Sequence, residues 1–285
     1  MKIRAPAKVN LYLRIVGKRE DGYHLLDTVM VSVSLYDELE IRRPRPGQRA
    51  KRRLTVTCDH PLVPSGRRNL VYQAASRLLH SKRIRSPVDI HIRKRIPVGA
   101  GLGGGSSDAA AALVGLNRFF RLGLKRAELL TLAASLGADV PFFVSGRPAR
   151  AGGIGERLRA IAAVPRLWMV ILYPGFPVST RWVYENYPFK LTKNIENTSI
   201  NFSRKGPAEL TSFLVNDLEK VAIRRYPLIG RLKRRLVEEG AAGALMSGSG
   251  SSVFGIFSTG QQARSAFRHL HKDRGVEAFL VHTLS

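Results

Sequence analysis

The apolar positions in the first third of the chain follow two different spacings. Apolar and polar residues alternate from residue 7 to residue 15, which predicts a half-buried strand. Residues 17–22 have the composition of a turn, and residues 23–35 predict a second strand opposite the first. From residue 69 the spacing becomes helical and continues to residue 79, with Asn69 as the expected N-cap.

The rest of the chain alternates short strands with helices. Strands are predicted at 39–41, 54–57, 88–98, 169–172, 244–246, 253–257 and 278–283. Helices are predicted at 107–120, 125–136, 208–213, 228–239 and 261–271. Apolar periodicity is poor at 192–207, so we expect two domains, residues 1–190 and 191–285, in an α+β chain.

Composition limits the class of protein and the compartment. The 285 residues are enough for two domains, and 44% hydrophobic and 24% charged residues are typical of a globular protein. One cysteine, Cys58, leaves no intrachain disulfide, and no apolar run approaches the roughly 18 residues of a membrane span. We therefore expect a cytoplasmic protein without a membrane partner.

The formal net charge of +26 indicates anionic partners. Three interpretations remain open: a solvated basic surface, attraction of nucleotide-like substrates, and binding of nucleic acid.

The densest motif lies between the predicted strand at 88–98 and the helix at 107–120. It contains five glycines, namely Gly99, Gly101, Gly103, Gly104 and Gly105, followed by Ser106 and Ser107. Glycines let backbone amides approach an anion closely, and the N-terminus of the next helix adds donors and a favourable dipole. The motif predicts a phosphate-binding loop; a flexible turn with Ser107 as N-cap is the alternative.

Three common nucleotide-binding families do not fit this loop. The G-x-G-x-x-G spacing is present, but the acidic residue of a dinucleotide site is missing because that region is predicted to be helical. No lysine follows the glycines as a Walker A loop requires, and the H-R-D and D-F-G tripeptides of protein kinases do not occur.

Residues 97–110 resemble the second motif of the GHMP kinase superfamily. Residues 246–254 resemble the third motif of the superfamily, and three further segments, 5–13, 17–25 and 136–144, narrow the resemblance to the 4-diphosphocytidyl-2-C-methyl-D-erythritol kinase family. These segments follow the family's order and spacing. The resemblance implies a two-domain GHMP kinase fold, with an N-terminal domain like domain 2 of ribosomal protein S5 and a ferredoxin-like C-terminal domain.

The resemblance also implies an activity, which is ATP-dependent phosphorylation of the 2-hydroxyl of 4-diphosphocytidyl-2-C-methyl-D-erythritol in the non-mevalonate route to isoprenoids. ATP and Mg²⁺ are the implied cofactors, with no metal ligands assigned to the chain. Asp139 is the implied catalytic base, although its position before a predicted short helix also fits a simple N-cap. Lys8 is implied to assist beside the acceptor, and a wetted strand edge is the alternative for Lys8 and Asn10.

The resemblance assigns the remaining residues to two ligands. ATP is expected at Asn69, Leu70, Lys94, Pro97, Val98, Gly99, Ala100, Gly101, Leu102, Gly103, Gly104, Gly105, Ser106 and Ser107. The diphosphocytidyl substrate is expected at Asn10, Tyr23, His24, Thr180, Tyr184, Gly248, Ser249 and Gly250.

Three questions stay open at this stage. Trp182 competes with Tyr184 as the residue that stacks on cytosine. A homoserine or mevalonate kinase would share the phosphate loop, and a nucleic-acid-binding protein would explain the charge. We expect small-molecule partners, no specific nucleic acid, and a monomer or homodimer.

Overall fold

The computed structural model describes residues 1–44, 53–161, 164–188 and 207–284. The predicted boundary between residues 190 and 191 lies outside this part of the chain. Within it, no helix is long and apolar enough to cross a membrane.

Strands and helices alternate along most of the described chain. The strands are β1 (Lys2–Lys18), β2 (His24–Arg42), β3 (Leu54–Cys58), β4 (Val88–Arg93), β5 (Ala149–Gly152), β6 (Arg157–Ala160), β7 (Trp168–Tyr173), β8 (Val215–Asn216), β9 (Gly243–Met246), β10 (Val253–Phe257) and β11 (Glu277–His282). The helices are α1 (Leu70–Ser81), α2 (Gly104–Phe119), α3 (Arg126–Ala134), α4 (Val140–Ser145), α5 (Thr180–Glu185), α6 (Pro207–Thr211), α7 (Glu219–Arg225), α8 (Pro227–Glu238) and α9 (Gly260–Leu270), and a short 3₁₀ helix covers Gly66–Arg68.

Contacts divide the chain into two compact units that are not continuous in sequence. Unit 1 comprises Met1–Ala7, Leu35–Val98 and Gly103–Gly146. Unit 2 comprises Lys8–Ser34, Gly99–Leu102 and Arg147–Ser285. Strands β1 and β2, which are 17 and 19 residues long, each contribute residues to both units.

Unit 1 packs four helices against part of a mixed sheet. The C-terminal part of β2 pairs antiparallel with β4, and β3 pairs parallel with β4. Helix α1 packs against α2, and α2 packs against α4. Close approach of α2 to the sheet requires Gly115, because a Cβ there would lie 2.6 Å from Ile41 Cδ1.

Unit 2 contains a separate antiparallel sheet with the order β11-β7-β10-β9. Helices α8 and α9 pack on this sheet, and their buried residues join its apolar core. The remaining strands of the unit belong to one sheet in which β2 neighbours β1. In this sheet β1 is parallel to β8, and β2 is antiparallel to β5, which in turn pairs with β6.

The structure confirms several sequence predictions and corrects others. Asn69 is the N-cap of α1, and its side chain accepts a hydrogen bond from Val71 N. Helix α2 begins at Gly104 rather than at residue 107, so Ser107 lies inside the helix and is not its N-cap. The two strands predicted at 23–35 and 39–41 form one continuous strand, β2. Strands β5, β6 and β8 and helices α5 and α7 were not predicted.

Strand β1 is half-buried, as its alternation predicts, from Leu11 to Ile15, but it is buried on both faces from Ala7 to Asn10. Lys8 and Asn10 lie on the polar face, yet they are 5% and 2% exposed. Burial of such groups is tolerated only when they find polar partners, and both have them in unit 2.

Candidate active site

The first half of the glycine loop, Gly99–Leu102, belongs to unit 2. The carbonyl groups of these four consecutive residues accept hydrogen bonds from Val178 N, Ser252 N, Ser247 Oγ and Lys8 N. Gly101 adopts φ 76°, and a Cβ there would lie 2.0 Å from Ser247 O. Only glycine is therefore accommodated at residue 101 in this conformation.

The second half of the loop, Gly103–Ser107, belongs to unit 1 and begins helix α2. Gly103 is the N-cap with φ 70°, so the helix starts without a side-chain cap and its first amides are presented by glycines. Ser107 donates its amide to Gly103 O, and its buried hydroxyl has no hydrogen-bond partner among the described residues. A 16-residue helix that begins in this way offers amides and a dipole to an anion.

Residues expected near ATP on either side of this loop vary in exposure. Asn69 is buried, and its side chain is engaged by Val71 N and Pro64 O. Leu70, Pro97 and Val98 are half-buried. Lys94 is buried in unit 1 between Asp37 and Asp108. Burial would lower the pKa of Lys94, but the two carboxylates outweigh burial and raise it.

Lys8 and Asn10 form a buried polar chain in unit 2. Lys8 Nζ donates to Asn10 Oδ1 at 2.6 Å, and Asn10 Nδ2 donates to Thr28 Oγ1 at 2.8 Å. Thr28 Oγ1 donates to Tyr12 O. A Cβ at Gly248 would lie 3.4 Å from Lys8 Nζ, so the loop that carries Gly248 passes directly over this chain.

That loop, residues 247–252, is held by residues from three other parts of unit 2. Asn216 Nδ2 donates to Met246 O and Gly248 O, both at 2.8 Å. The hydroxyls of Thr180 and Ser249 are 2.8 Å apart. Gly248 and Gly250 have φ values of 54° and 84°, which favour glycine. The structure thus brings Thr180 beside Ser249 and adds Asn216, which the sequence did not identify.

Three aromatic rings meet beside the start of β2. The ring centroids of His24 and Tyr184 are 5.6 Å apart with a 35° tilt, and those of His24 and Tyr187 are 6.0 Å apart at 89°. Burial, and then the Lys18 ammonium, lowers the pKa of His24 below 6.5. The imidazole is therefore neutral at pH 7, with one donor and one acceptor nitrogen. Tyr23 is 61% exposed.

Trp182 has different neighbours from Tyr184. Arg225 lies over the indole at 4.6 Å, and Tyr226 meets it edge-on at 6.2 Å. Because Tyr184 is the α5 aromatic beside His24, the geometry favours Tyr184 over Trp182 as a partner of that histidine. Tyr187 was missed by sequence reasoning; the only signal was the aromatic-rich composition of the segment.

Asp139 precedes α4 in unit 1. It occupies the N-cap position with φ −84° and ψ −15°, but its side chain makes no capping hydrogen bond. The capping role weighed from the sequence therefore does not account for this carboxylate.

The described residues contain no group of three His, Cys, Asp or Glu side chains that could hold a metal ion. Unit 1 contributes the first amides of α2 and the Asp139 carboxylate, and unit 2 contributes a buried lysine beside an asparagine, hydroxyls and an aromatic cluster. Amides at a helix N-terminus can bind phosphate, and a carboxylate can accept a proton.

Comparison with known proteins agrees with this chemistry. Residues 69–147 match the GHMP kinases N terminal domain, and residues 204–276 match the GHMP kinases C terminal domain. The chain is 46% identical over 277 residues to the 4-diphosphocytidyl-2-C-methyl-D-erythritol kinase of Syntrophotalea carbinolica, covering 97% of this chain and 96% of that protein.

Solved structures give the same result at the level of the fold. A crystal structure of 4-(cytidine 5'-diphospho)-2C-methyl-D-erythritol kinase aligns with a TM-score of 0.79 and 37% identity over the full length of both chains. The mevalonate kinase of Methanococcus jannaschii aligns with a TM-score of 0.73 at 15% identity, over 100% of this chain and 98% of that one, and so shares the fold alone. The chain has the GHMP kinase fold and is a kinase that uses ATP and a small-molecule substrate. It belongs to the 4-diphosphocytidyl-2-C-methyl-D-erythritol kinase family of GHMP kinases.

Proposed function

We propose that this enzyme transfers the γ-phosphoryl group of ATP to the 2-hydroxyl of 4-diphosphocytidyl-2-C-methyl-D-erythritol, in the non-mevalonate route to isoprenoids. We choose this acceptor because the chain is 46% identical, over nearly its whole length, to a relative named 4-diphosphocytidyl-2-C-methyl-D-erythritol kinase. The ring cluster of His24, Tyr184 and Tyr187 supports it, because a cytosine base needs a stacking surface and a hydrogen-bonding edge.

The acceptor's base is the part that distinguishes it from other substrates of the superfamily. Neutral His24 offers a donor and an acceptor to the base edge, while Tyr23 and Tyr184 supply faces for stacking. Asn10, Thr180, Gly248, Ser249 and Gly250 are the proposed contacts to the rest of the acceptor. Mevalonate and homoserine carry no base that would use these rings.

The proposed nucleotide contacts centre on the start of α2. Amides of Gly103–Ser107 would bind phosphate oxygens at the positive end of the helix dipole. Pro97–Leu102 would complete the loop, and Asn69, Leu70 and Lys94 would contribute to the adenosine end. Mg²⁺ fits this donor set as an ion held by ATP phosphates and water, because the described residues form no protein cage. When bound, it neutralises phosphate charge.

The proposed chemistry is an in-line displacement. The acceptor's 2-hydroxyl oxygen bonds to the γ-phosphorus as the bond from that phosphorus to the bridging oxygen of ADP breaks. Asp139 takes the hydroxyl proton, and Lys8, held by Asn10, orients the acceptor. Few groups are needed, since phosphoryl transfer depends mostly on positioning and charge stabilisation.

We further propose that the enzyme works in the cytoplasm as a monomer or homodimer and binds no nucleic acid specifically. We also propose the division into residues 1–190 and 191–285. The net charge of +26 is then a property that attracts its anionic substrates.

The test is ADP release measured with three acceptors. ADP should form with the diphosphocytidyl acceptor and only at background rates with mevalonate or homoserine. Equal turnover of either alternative would reject the proposed acceptor.

A further inference from the structure

Three charged side chains meet beneath the start of α2 in unit 1. Lys94 Nζ lies 2.5 Å from Asp37 Oδ2 and 2.8 Å from Asp108 Oδ2. The side chains of all three are at most 4% exposed. We call them the Asp37 bridge. It joins the C-terminal half of β2, the residue after β4 and the second turn of α2.

Asp37 also holds the backbone that enters the phosphate loop. Its Oδ1 accepts hydrogen bonds from Arg95 N at 2.6 Å and from Ile96 N at 2.9 Å. Both oxygens of this carboxylate therefore accept hydrogen bonds from the segment that directly precedes Pro97. Hydrogen bonds to an ionised acceptor are short and about twice as strong as neutral ones.

The first residue of α2 packs against the same segment. A Cβ at Gly104 would lie 3.0 Å from Ile96 Cγ2 and 3.1 Å from Lys94 Nζ. A shift of Lys94 or Ile96 would therefore displace the helix start, whose amides are the proposed phosphate donors.

Stability alone explains this bridge poorly. It buries two carboxylates against one ammonium, and Asp108 Oδ1 has no hydrogen-bond partner among the described residues. Burial raises the pKa of Asp108 to about 7, with Lys94 offsetting part of the rise. Buried ion pairs of this kind are weak evidence for a stability role and better attested as devices that select one arrangement.

We propose that Asp37 is a positioning residue of the ATP site, which acts through Lys94 and Asp108 to hold the amides of Gly103–Ser107 in the phosphate-binding arrangement. This inference rests on the proposed role of that loop. Asp37 needs no contact with the nucleotide. Its replacement should change the affinity for ATP and not the KM for the acceptor.

Asp37→Asn tests the inference, with Asp217→Asn as the matched control. Asp217 also accepts a backbone amide, Ile15 N, and pairs with a cation, Arg14, but both partners lie on β1 in unit 2 and not at the start of α2 in unit 1. The dissociation constant of a non-hydrolysable ATP analogue is measured by calorimetry, alongside the KM values for ATP and acceptor. Asp37→Asn should weaken ATP binding by about 10-fold, roughly 1.4 kcal/mol, and leave the KM for the acceptor unchanged.

The control should leave ATP binding unchanged even where its melting temperature falls by a similar amount. An unchanged ATP affinity in folded Asp37→Asn, or an equal loss in Asp217→Asn, overturns the inference. If Asp37→Asn does not fold, Asp108→Ala carries the test, because it removes only the link from Lys94 to α2. It should weaken ATP binding at least about 3-fold, and unchanged binding overturns the inference.

These outcomes are separable from those of the proposed function. Wild type that binds ATP but does not phosphorylate the diphosphocytidyl acceptor rejects the proposed function. Wild type that phosphorylates it, with Asp37→Asn binding ATP normally, rejects the positioning role alone.

Discussion

The imidazole of His24 lies 5.6 Å from the ring of Tyr184, tilted by 35°, although 160 positions of sequence numbering, from 24 to 184, separate them. This contact places a hydrogen-bonding edge next to an aromatic face within unit 2. In the proposed function, this arrangement would recognise the nucleobase of the acceptor, which a small aliphatic acceptor lacks.

Replacing Tyr184 by leucine should raise the KM for the diphosphocytidyl acceptor. Stacking of a base on an aromatic ring contributes about 1–3 kcal/mol, which corresponds to roughly 5- to 150-fold. Tyr184→Phe keeps the ring and should stay close to wild type, and the KM for ATP should not change in either variant. Steady-state kinetics with each substrate varied in turn measures the effect.

Trp182→Leu is the matched control for that experiment. Trp182 packs against Arg225 and Tyr226, so its loss should lower stability more than it affects the acceptor's KM. If Trp182→Leu raises the acceptor's KM and Tyr184→Leu does not, the stacking residue is Trp182.

The pH dependence of acceptor use should report His24. Burial, and then Lys18, lowers the pKa of His24, so the neutral ring persists to a lower pH than in an exposed histidine. Below the lowered pKa the ring gains a proton and loses its acceptor nitrogen, so kcat/KM for the acceptor should fall only in that acidic range. The His24→Gln variant should not show this decrease in kcat/KM, whereas any decrease caused by protonation of ATP should remain in both enzymes. Superimposable profiles of the two enzymes would remove His24 from base recognition.

Gly105→Val should weaken ATP binding without unfolding the protein. A Cβ at residue 105 would meet only Leu70 Cδ1, at 3.8 Å, so the fold has room for a side chain. A side chain among the first amides of α2 would nevertheless obstruct close approach of phosphate. Gly152→Ala is the control, because a Cβ there meets only Leu26 O at 3.9 Å.

Calorimetry with an ATP analogue and thermal melting measure both properties of these variants. Loss of ATP binding with a melting temperature within about 4 °C of wild type is the expected result for Gly105→Val. Normal ATP affinity would mean that this glycine is only part of a turn. Gly104→Val is less informative, because its Cβ would contact Ile96 and Lys94 within the fold.

Asp139→Asn should retain the fold and ATP affinity and lose kcat by roughly 10²–10⁴, the usual contribution of a positioned general base. The side chain makes no capping bond to α4, so the substitution removes no cap. Asp273→Asn, on the other unit, is the control and should keep wild-type kcat. Turnover by Asp139→Asn within a few-fold of wild type would show that Asp139 is not the base.

Local sequence predicted those features that depend on local interactions. Asn69 was recognised as the cap of α1 because an N-cap bonds to an amide two residues away. The start of α2 was misplaced, because glycine has low helix propensity and the positive φ of Gly103 begins the helix three residues early.

Features that depend on distant partners were not predictable in the same way. A wetted strand face was the alternative for Lys8 and Asn10, and their burial could not be predicted because it depends on Thr28 and on the loop at Gly248. Lys94 meets Asp37 across 57 positions, and alternation along one strand carries no information about such a pairing. The resemblance to a family supplied the candidate site; only the structure identified Asp37, Asn216 and Tyr187.

The most direct test of the account is the identity of the phosphorylated product, followed by phosphorus NMR with purified enzyme, ATP, Mg²⁺ and 4-diphosphocytidyl-2-C-methyl-D-erythritol. The proposed function predicts one new phosphomonoester signal, assigned to the 2-position because it lacks three-bond coupling to a proton, together with stoichiometric ADP and an intact diphosphate in the acceptor. A product phosphorylated at another hydroxyl, or no ADP formed from this acceptor while another alcohol is phosphorylated, would contradict it.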